Sequence, residues 1–500
     1  MARDLTAEPL FPTRDIQGDI LTELPKRRER LLFFRITDPP VFREFLRGLA
    51  VTSMDECLAQ RALIAQRKAA GVQTDVPTPG LNVALTFPGM QELGVEGLDD
   101  APGLDAFREG MAGRTDRLAD PPAHTWRILR PDRRPDGVFL LTGASEAEIA
   151  DTISLRLAPV PGNGWALLHE EAGRVRPAPV RGHEHFGWAD GVSQPGVRGR
   201  VAAAVPLTPT LGPDEDQGQP GQDLLWPGEF LFGYPGQDAA AGDLTVQGPV
   251  AEPPVPFMAH GAYLVFRRLA QLVPEFRAQM KASAASIGPD ADPADPELLG
   301  AQLVGRWKSG APLVNAPLED DPHLAEGTPL VNDFEFGGDR EGLVCPWAAH
   351  VRKAYPRDDV RHDTAPSPAG VASAEAFTQT HRMMRRGIAF GPELSDREAK
   401  AGQSDPQLSR GLLFACYVTS LEQQFEFVQQ SWADAPDFPQ PGAGADGIIA
   451  QPGGVPAPFL GAAPVSKDPA RKPLLSFSRF VEMQGGEYFF APSIPALRGL

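Results

Sequence analysis

Leu31-Leu32-Phe33-Phe34-Arg35-Ile36 is a short apolar run between a basic turn, Lys26-Arg27-Arg28, and the breaker Asp38-Pro39-Pro40. Such a run, aromatic-rich and closed by turn formers, predicts a buried strand. Asp38-Pro39-Pro40 predicts a helix start, and Val41, Phe42, Phe45 and Leu46 then recur at helical spacing. Residues 81–87 predict a second strand, with a short helix through Met90 to Leu93. The plan returns in the second half. Residues 262–267 predict a strand, and Leu269, Leu272, Val273 and Phe276 one face of the helix after it. Residues 411–418 predict another strand, with Leu421, Phe425, Val428 and Trp432 on one face of the next helix. This repeat constrains the chain to the α+β class, as two related halves, each a sheet with helices on one side.

The chain holds 53 prolines and 51 glycines in 500 residues. Proline stands at about twice its usual share, so many fixed turns are expected between the repeated elements. The Pro/Gly/Asp-rich stretch at 206–228 is the best boundary, giving halves 1–215 and 216–500; another long irregular piece runs over 436–458. A net charge of −18 repels nucleic acid and anionic membranes, so neither is an expected partner. Three cysteines, Cys57, Cys345 and Cys416, do not support a disulfide framework and fit a reducing compartment. The first residues lack the basic start and apolar core of a secretory signal, and no apolar segment approaches bilayer length. The expected compartment is the cytoplasm.

Three segments concentrate reactive side chains. In Arg181-Gly182-His183-Glu184-His185-Phe186-Gly187-Trp188-Ala189-Asp190-Gly191-Val192-Ser193-Gln194-Pro195-Gly196, one carboxylate, Asp190, is surrounded by turn residues. An Asp-Gly pair alone is an ordinary turn; histidines, aromatics and an arginine in the same turn point beyond that. In Cys345-Pro346-Trp347-Ala348-Ala349-His350-Val351-Arg352-Lys353-Ala354-Tyr355-Pro356-Arg357, Pro346 suits the first turn of a helix and Pro356 ends it. That places His350 mid-helix beside two alanines that admit something flat and bulky. Three nearby cations, Arg352, Lys353 and Arg357, suit the propionates of a metal macrocycle. A lone histidine is more often structural, and Cys345 is a rival thiolate ligand; the two ligations differ in the absorption of the carbonyl complex. In Arg382-Met383-Met384-Arg385-Arg386-Gly387, Arg385 precedes a glycine that lets the chain pass close to a ligand. Arg382 and Arg386 read as a solvated basic face.

Together these segments resemble the dye-decolourising peroxidase family over nearly the whole chain. Gly187-Trp188-Ala189-Asp190-Gly191 is similar to the family's Gly-x-x-Asp-Gly signature, 345–353 to its haem-ligand segment and 385–391 to its arginine segment. The resemblance implies two ferredoxin-like halves, each an antiparallel sheet with helices packed on it, with haem b, one per chain, held mainly by the C-terminal half. It implies His350 as the iron ligand, and Asp190 and Arg385 as catalytic residues on the opposite, peroxide-binding face. Leu412 and Phe414 alternate on one strand and would face the pocket. Arg352 is the leading propionate partner and Arg357 a second. Asp446, in 441–447, is either another Asp-Gly turn or a hydrogen-bond partner that raises the basicity of His350. The implied reaction is oxidation of dyes, phenolics or other small one-electron donors by hydrogen peroxide. His183 and His185 fall to bystanders. Trp188-Ala189, Tyr355 and Gly387 depart from the usual family pattern, which bears on substrate preference. A haem-binding or haem-delivery protein with little turnover, and a cofactor-free binding protein, are the alternatives.

Overall fold

The computed structural model describes residues 3–72, 76–157, 162–212, 214–240, 243–286, 295–359, 368–450, 457–460 and 474–500. The strands that organise it are β1 (Arg28–Ile36), β2 (Gly80–Leu85), β3 (Gly137–Gly143), β4 (Trp165–Arg174), β5 (Ala262–Gln271), β6 (Met384–Arg385), β7 (Ile388–Phe390), β8 (Gly411–Val418) and β9 (Val481–Ala491). Within the first half the strands lie in the order β2-β3-β1-β4, all antiparallel. Within the second the order is β7-β8-β5-β9, with β6 continuing the line of β7 along β8. Both are the second-third-first-fourth arrangement of a ferredoxin-like unit.

The halves do not form separate sheets. Leu85 pairs with Phe490 and Gly173 with Phe390, and these two narrow seams close eight strand positions into one barrel. Alternation along the strands sorts the apolar residues. Leu31, Phe33, Leu140, Phe266, Leu413, Ala415 and Phe489 share the barrel interior. Leu32, Phe34, Phe139, Val265, Cys416 and Phe490 point outward beneath the helices, among them α1 (Pro39–Gly48), which contributes Phe42 and Leu46.

The repeat in the sequence captures part of this frame. Residues 411–418 form β8 as expected, while β5 runs on to Gln271, so Leu269 belongs to the sheet and helix α2 spans Val273–Ser286. The helix expected after β8 forms as two π-helical turns, Leu421–Glu426 and Val428–Ala433, with Leu421, Phe425, Val428 and Trp432 all buried. Strands β3, β4 and β9 fall outside the predicted repeat. The 206–228 stretch folds back on the core: Leu224–Leu225 pairs in parallel with Gly196–Val197, at the end of the Asp190 turn. Of the irregular 436–458 stretch, residues 451–456 lie outside the described residues.

Candidate active site

The Asp190 turn is built around Glu184. Its carboxylate accepts hydrogen bonds from the backbone N–H groups of Phe186 (2.8 Å), Gly187 (2.9 Å) and Trp188 (2.8 Å), and from the side chain of Gln271. Burial holds this carboxyl above the usual range against the pull of those donors. Gly187 and Gly191 take φ of 113° and 73°, which lets the chain double back on either side of Asp190. Phe186 and Trp188 pack on Phe276 of α2, with ring centroids at 4.5 and 5.7 Å, and the Trp188 indole donates to the Arg306 carbonyl at 2.7 Å. Trp188, one of the departures from the family pattern, is thus an anchor of the turn.

His185 is a structural residue: its Nε2–H donates to the Phe390 carbonyl at 2.9 Å, and burial, with Arg176 adding to it, pushes its pKa down to about 4. The His183 ring meets the Arg181 carbonyl of its own turn at 3.1 Å and lies within electrostatic reach of Glu326.

Gln194 joins this turn to the strand that carries Arg385. Its Nε2 donates to the Arg385 carbonyl at 2.8 Å, and its Oε1 accepts from the Arg385 N–H at 3.3 Å. The Arg385 guanidinium in turn donates to the Ser193 carbonyl, and Asn332 donates to the Val192 carbonyl at 2.9 Å. Arg385 pairs with Cys416 across β6 and β8, which puts it on the outer face of the barrel with Leu412 and Phe414. Those two are the incompletely buried residues of a strand whose 411, 413 and 415 positions are buried. A Cβ built on Gly387 would lie 3.6 Å from Leu412, so the glycine keeps the backbone close to this face.

His350 opens a short helix, α3 (His350–Ala354), with Ala349 as its N-cap. It is therefore the first helical residue, not mid-helix, and the stretch from Pro346 is loop. Just before it, the Asp339 carboxylate takes the N–H groups of Leu343 (2.7 Å), Val344 (3.1 Å) and Cys345 (2.8 Å), which fixes the loop that leads into Pro346. The imidazole Nδ1–H donates to Asp446 at 2.8 Å. Asp446 is buried, and its other oxygen accepts from Ile448 (2.7 Å) and Ile449 (3.1 Å), so its orientation toward His350 is fixed. Burial lowers the pKa of His350, but the charge and hydrogen bond of Asp446 outweigh it and the net direction is up. Arg385 and Asp190 are both close enough to act on the same imidazole, the first lowering and the second raising it. Nε2 has no protein partner among the described residues, and the side chain keeps 27% of its accessible surface despite its depth. A fixed imidazole with one nitrogen left without a protein partner, within electrostatic reach of an arginine and a carboxylate, fits the binding of an iron macrocycle.

Cys345 does not fit the ligand role. It is fully buried among Trp307, Phe336 and Ala349, and burial pushes its thiol up to about 12. A thiol packed this way in the core is that of a structural cysteine.

The two arginines expected at propionates are engaged elsewhere. Arg352 is 1% exposed; it binds Asp359 at 2.6 Å, Asp339 at 3.2 Å and the Cys345 carbonyl at 2.6 Å. Arg357 is likewise buried, donating to the Phe334 carbonyl at 2.7 Å and to Glu335 at 3.3 Å, with its guanidinium over the Phe334 ring. Both clamp the His350 segment to its surroundings. Arg382 and Arg386, expected on a solvated face, are buried as well. Arg382 pairs with Asp223 at 2.6 Å over the ring of Tyr355, whose hydroxyl donates to the same carboxylate at 2.5 Å; Arg386 donates to the Asp19 carbonyl at 2.7 Å. Sequence reasoning missed Glu184, Gln194 and Asp339. Each acts through backbone groups, which leave no signal in side-chain patterns.

Residues 15–177 match the family model described as "DyP dimeric alpha+beta barrel domain". The chain is 34% identical to a dye-decolorizing peroxidase of Mycetinis scorodonius, over 97% of this chain and 86% of that protein. It is 31% identical to a multifunctional dye peroxidase of an Amycolatopsis species, over 100% and 98%. Among solved structures, an ancestral D-type dye-decolorizing peroxidase superposes with a TM-score of 0.81 at 33% identity, covering 98% of this chain and 99% of that one.

Proposed function

Because the chain belongs to the dye-decolourising peroxidase family, we propose that it reduces hydrogen peroxide to water at one haem b per chain, taking electrons from dyes, phenolics or similar small donors. The bound haem supplies the redox chemistry, and the chain supplies orientation and proton transfer. His350 Nε2 is the iron ligand. Asp446 holds the Nδ1–H, which fixes the tautomer, leaves the lone pair on Nε2 and makes that nitrogen more basic. Leu412 and Phe414 offer the macrocycle an apolar wall. The Asp190 carboxylate would take a proton from one peroxide oxygen and return it to the other, so that the departing oxygen leaves as water. Arg385, oriented through Ser193 and Gln194, stabilises the negative charge that develops as the O–O bond lengthens.

The observation that carries this reading is the fixed His350–Asp446 pair at 2.8 Å, sensed electrostatically by Asp190 and Arg385 together. Its test is rapid mixing of the haem-loaded protein with peroxide. Asp190→Asn and Arg385→Leu should each slow the first spectral change by orders of magnitude; wild-type rates in both would remove the distal assignment. His350→Ala should lose haem, and an unchanged haem spectrum would return the ligand to Cys345. Haem retention without peroxide-dependent dye oxidation would favour haem delivery over catalysis. We also propose a cytoplasmic location, supported by the three free, buried thiols.

A further inference from the structure

Against a net charge of −18, one surface groove of about 490 Å³ stands out because no acidic side chain lines it. It lies where the start of β1 meets the ends of β3 and β4, and its walls carry Lys26, Arg27, Arg28, Arg174, Arg176 and Arg181. The backbone there is fixed. Arg27 N–H donates to the Gly143 carbonyl at 3.0 Å, and Val175 N–H donates to the Arg27 carbonyl at 3.0 Å. Part of the charge is already matched: Lys26 pairs with Glu29 at 3.2 Å, Arg28 with Glu146 at 3.4 Å and Arg176 with Glu393 at 2.5 Å. Arg174 feels the charge of Glu393 without pairing to it, and Arg181 forms no ion pair among the described residues. Both are exposed, and neither side chain has a hydrogen bond or ion pair among the described residues.

Cations held together on rigid strand ends repel one another, and that repulsion is relieved when an anion enters. Guanidinium groups bind oxyanions through paired N–H donors. A groove of this size, in the range of small-molecule sites, exceeds what a single oxyanion fills. We propose that this groove binds a small polyanion, a molecule presenting two or more phosphate, sulfonate or carboxylate groups, with Arg174 and Arg181 as its principal contacts. Arg176 forms the floor and also donates to the Glu184 carbonyl at 2.5 Å, so the ligand sits one residue's reach from the turn that carries Asp190. The groove residues are distinct from those proposed to bind haem, and the test does not depend on peroxide turnover.

Calorimetric titration of the haem-loaded protein with inorganic tripolyphosphate, and separately with naphthalene-1,3,6-trisulfonate, tests it. Saturable binding of at least one probe at one site per chain is expected, weakened at least tenfold in Arg174→Glu/Arg181→Glu. It should also weaken as salt rises from about 0.01 M to about 0.1 M, where the screening length falls from about 30 Å to about 10 Å. Both altered side chains are exposed and form no hydrogen bond or ion pair among the described residues, so the variant keeps its fold, and its circular dichroism checks that. Binding of tripolyphosphate alone identifies a phosphate ligand; binding of the trisulfonate alone identifies an aromatic one. If neither probe saturates, or if the double variant binds as the parent does, the groove is not an anion site.

Discussion

Gln194 sets where Asp190 and Arg385 stand relative to one another, because its amide holds both backbone groups of Arg385 from within the Asp190 turn. Gln194→Ala removes two hydrogen bonds of roughly 0.5–1.5 kcal/mol each. Expressed at the reacting centre, that is about a 5- to 160-fold fall in kcat/KM for peroxide, with haem content and the resting spectrum unchanged. Steady-state kinetics at varied peroxide check it, and a parent-like kcat/KM would show that the turn is positioned without this contact. Gln194 was not legible in the sequence: it lies four residues past Asp190, but its partner is 191 residues further on. His185 gives a second prediction at this scale. Its folded pKa of about 4 lies below the unfolded value of about 6.5. Below pH 6.5 the unfolded chain takes up a proton that the folded chain refuses until about pH 4. Its contribution is therefore intact above about pH 6.5 and is lost as pH falls toward 4, by about 3 kcal/mol in all. Urea midpoints against pH should fall less steeply in His185→Gln than in the parent, and parallel curves would contradict the assignment.

Among the elements, strands were legible where apolar residues run together, as in β1 and β8, since burial on both faces leaves an unbroken apolar run. The His350 segment was legible in its residues but not in its form. Pro346 looks like a helix start, yet the helix begins only at His350, and the loop before Pro346 is tied to Asp339 through the N–H groups of 343–345. The same aspartate, with Asp359, takes the guanidinium of Arg352, which as part of a sequence looked like a cation waiting for a propionate. The two roles separate by experiment. As a clamp, Arg352→Ala leaves two buried carboxylates without their cation and should cost the haem-free protein about 3–5 kcal/mol in chemical denaturation. A variant with unchanged stability and weakened haem binding would restore the propionate role.

Across the whole molecule, the repeated plan announces two halves but not their fusion, because each seam of the barrel rests on a single residue pair. What binds the halves is ionic as well as apolar. Arg114 meets Glu426 at 2.6 Å, Arg134 meets Glu487 at 2.7 Å and Arg268 meets Glu171 at 3.1 Å, each pair crossing from residues before 215 to residues after it. Arg114 and Glu426 are both almost fully buried, with 4% and 3% of their side-chain surface exposed. Separation would leave such charges without partners and expose the apolar barrel interior shared by β1, β3, β5 and β8. The site follows the same logic, since Asp190 comes from the first half and Arg385 and His350 from the second. Fragments 1–215 and 216–500 expressed alone should therefore be insoluble or unfolded, and the full chain should unfold in one transition seen alike by fluorescence and circular dichroism. Two resolved transitions, or a soluble fragment with native-like near-ultraviolet dichroism, would mean that each half folds by itself and that the barrel is an interface between domains.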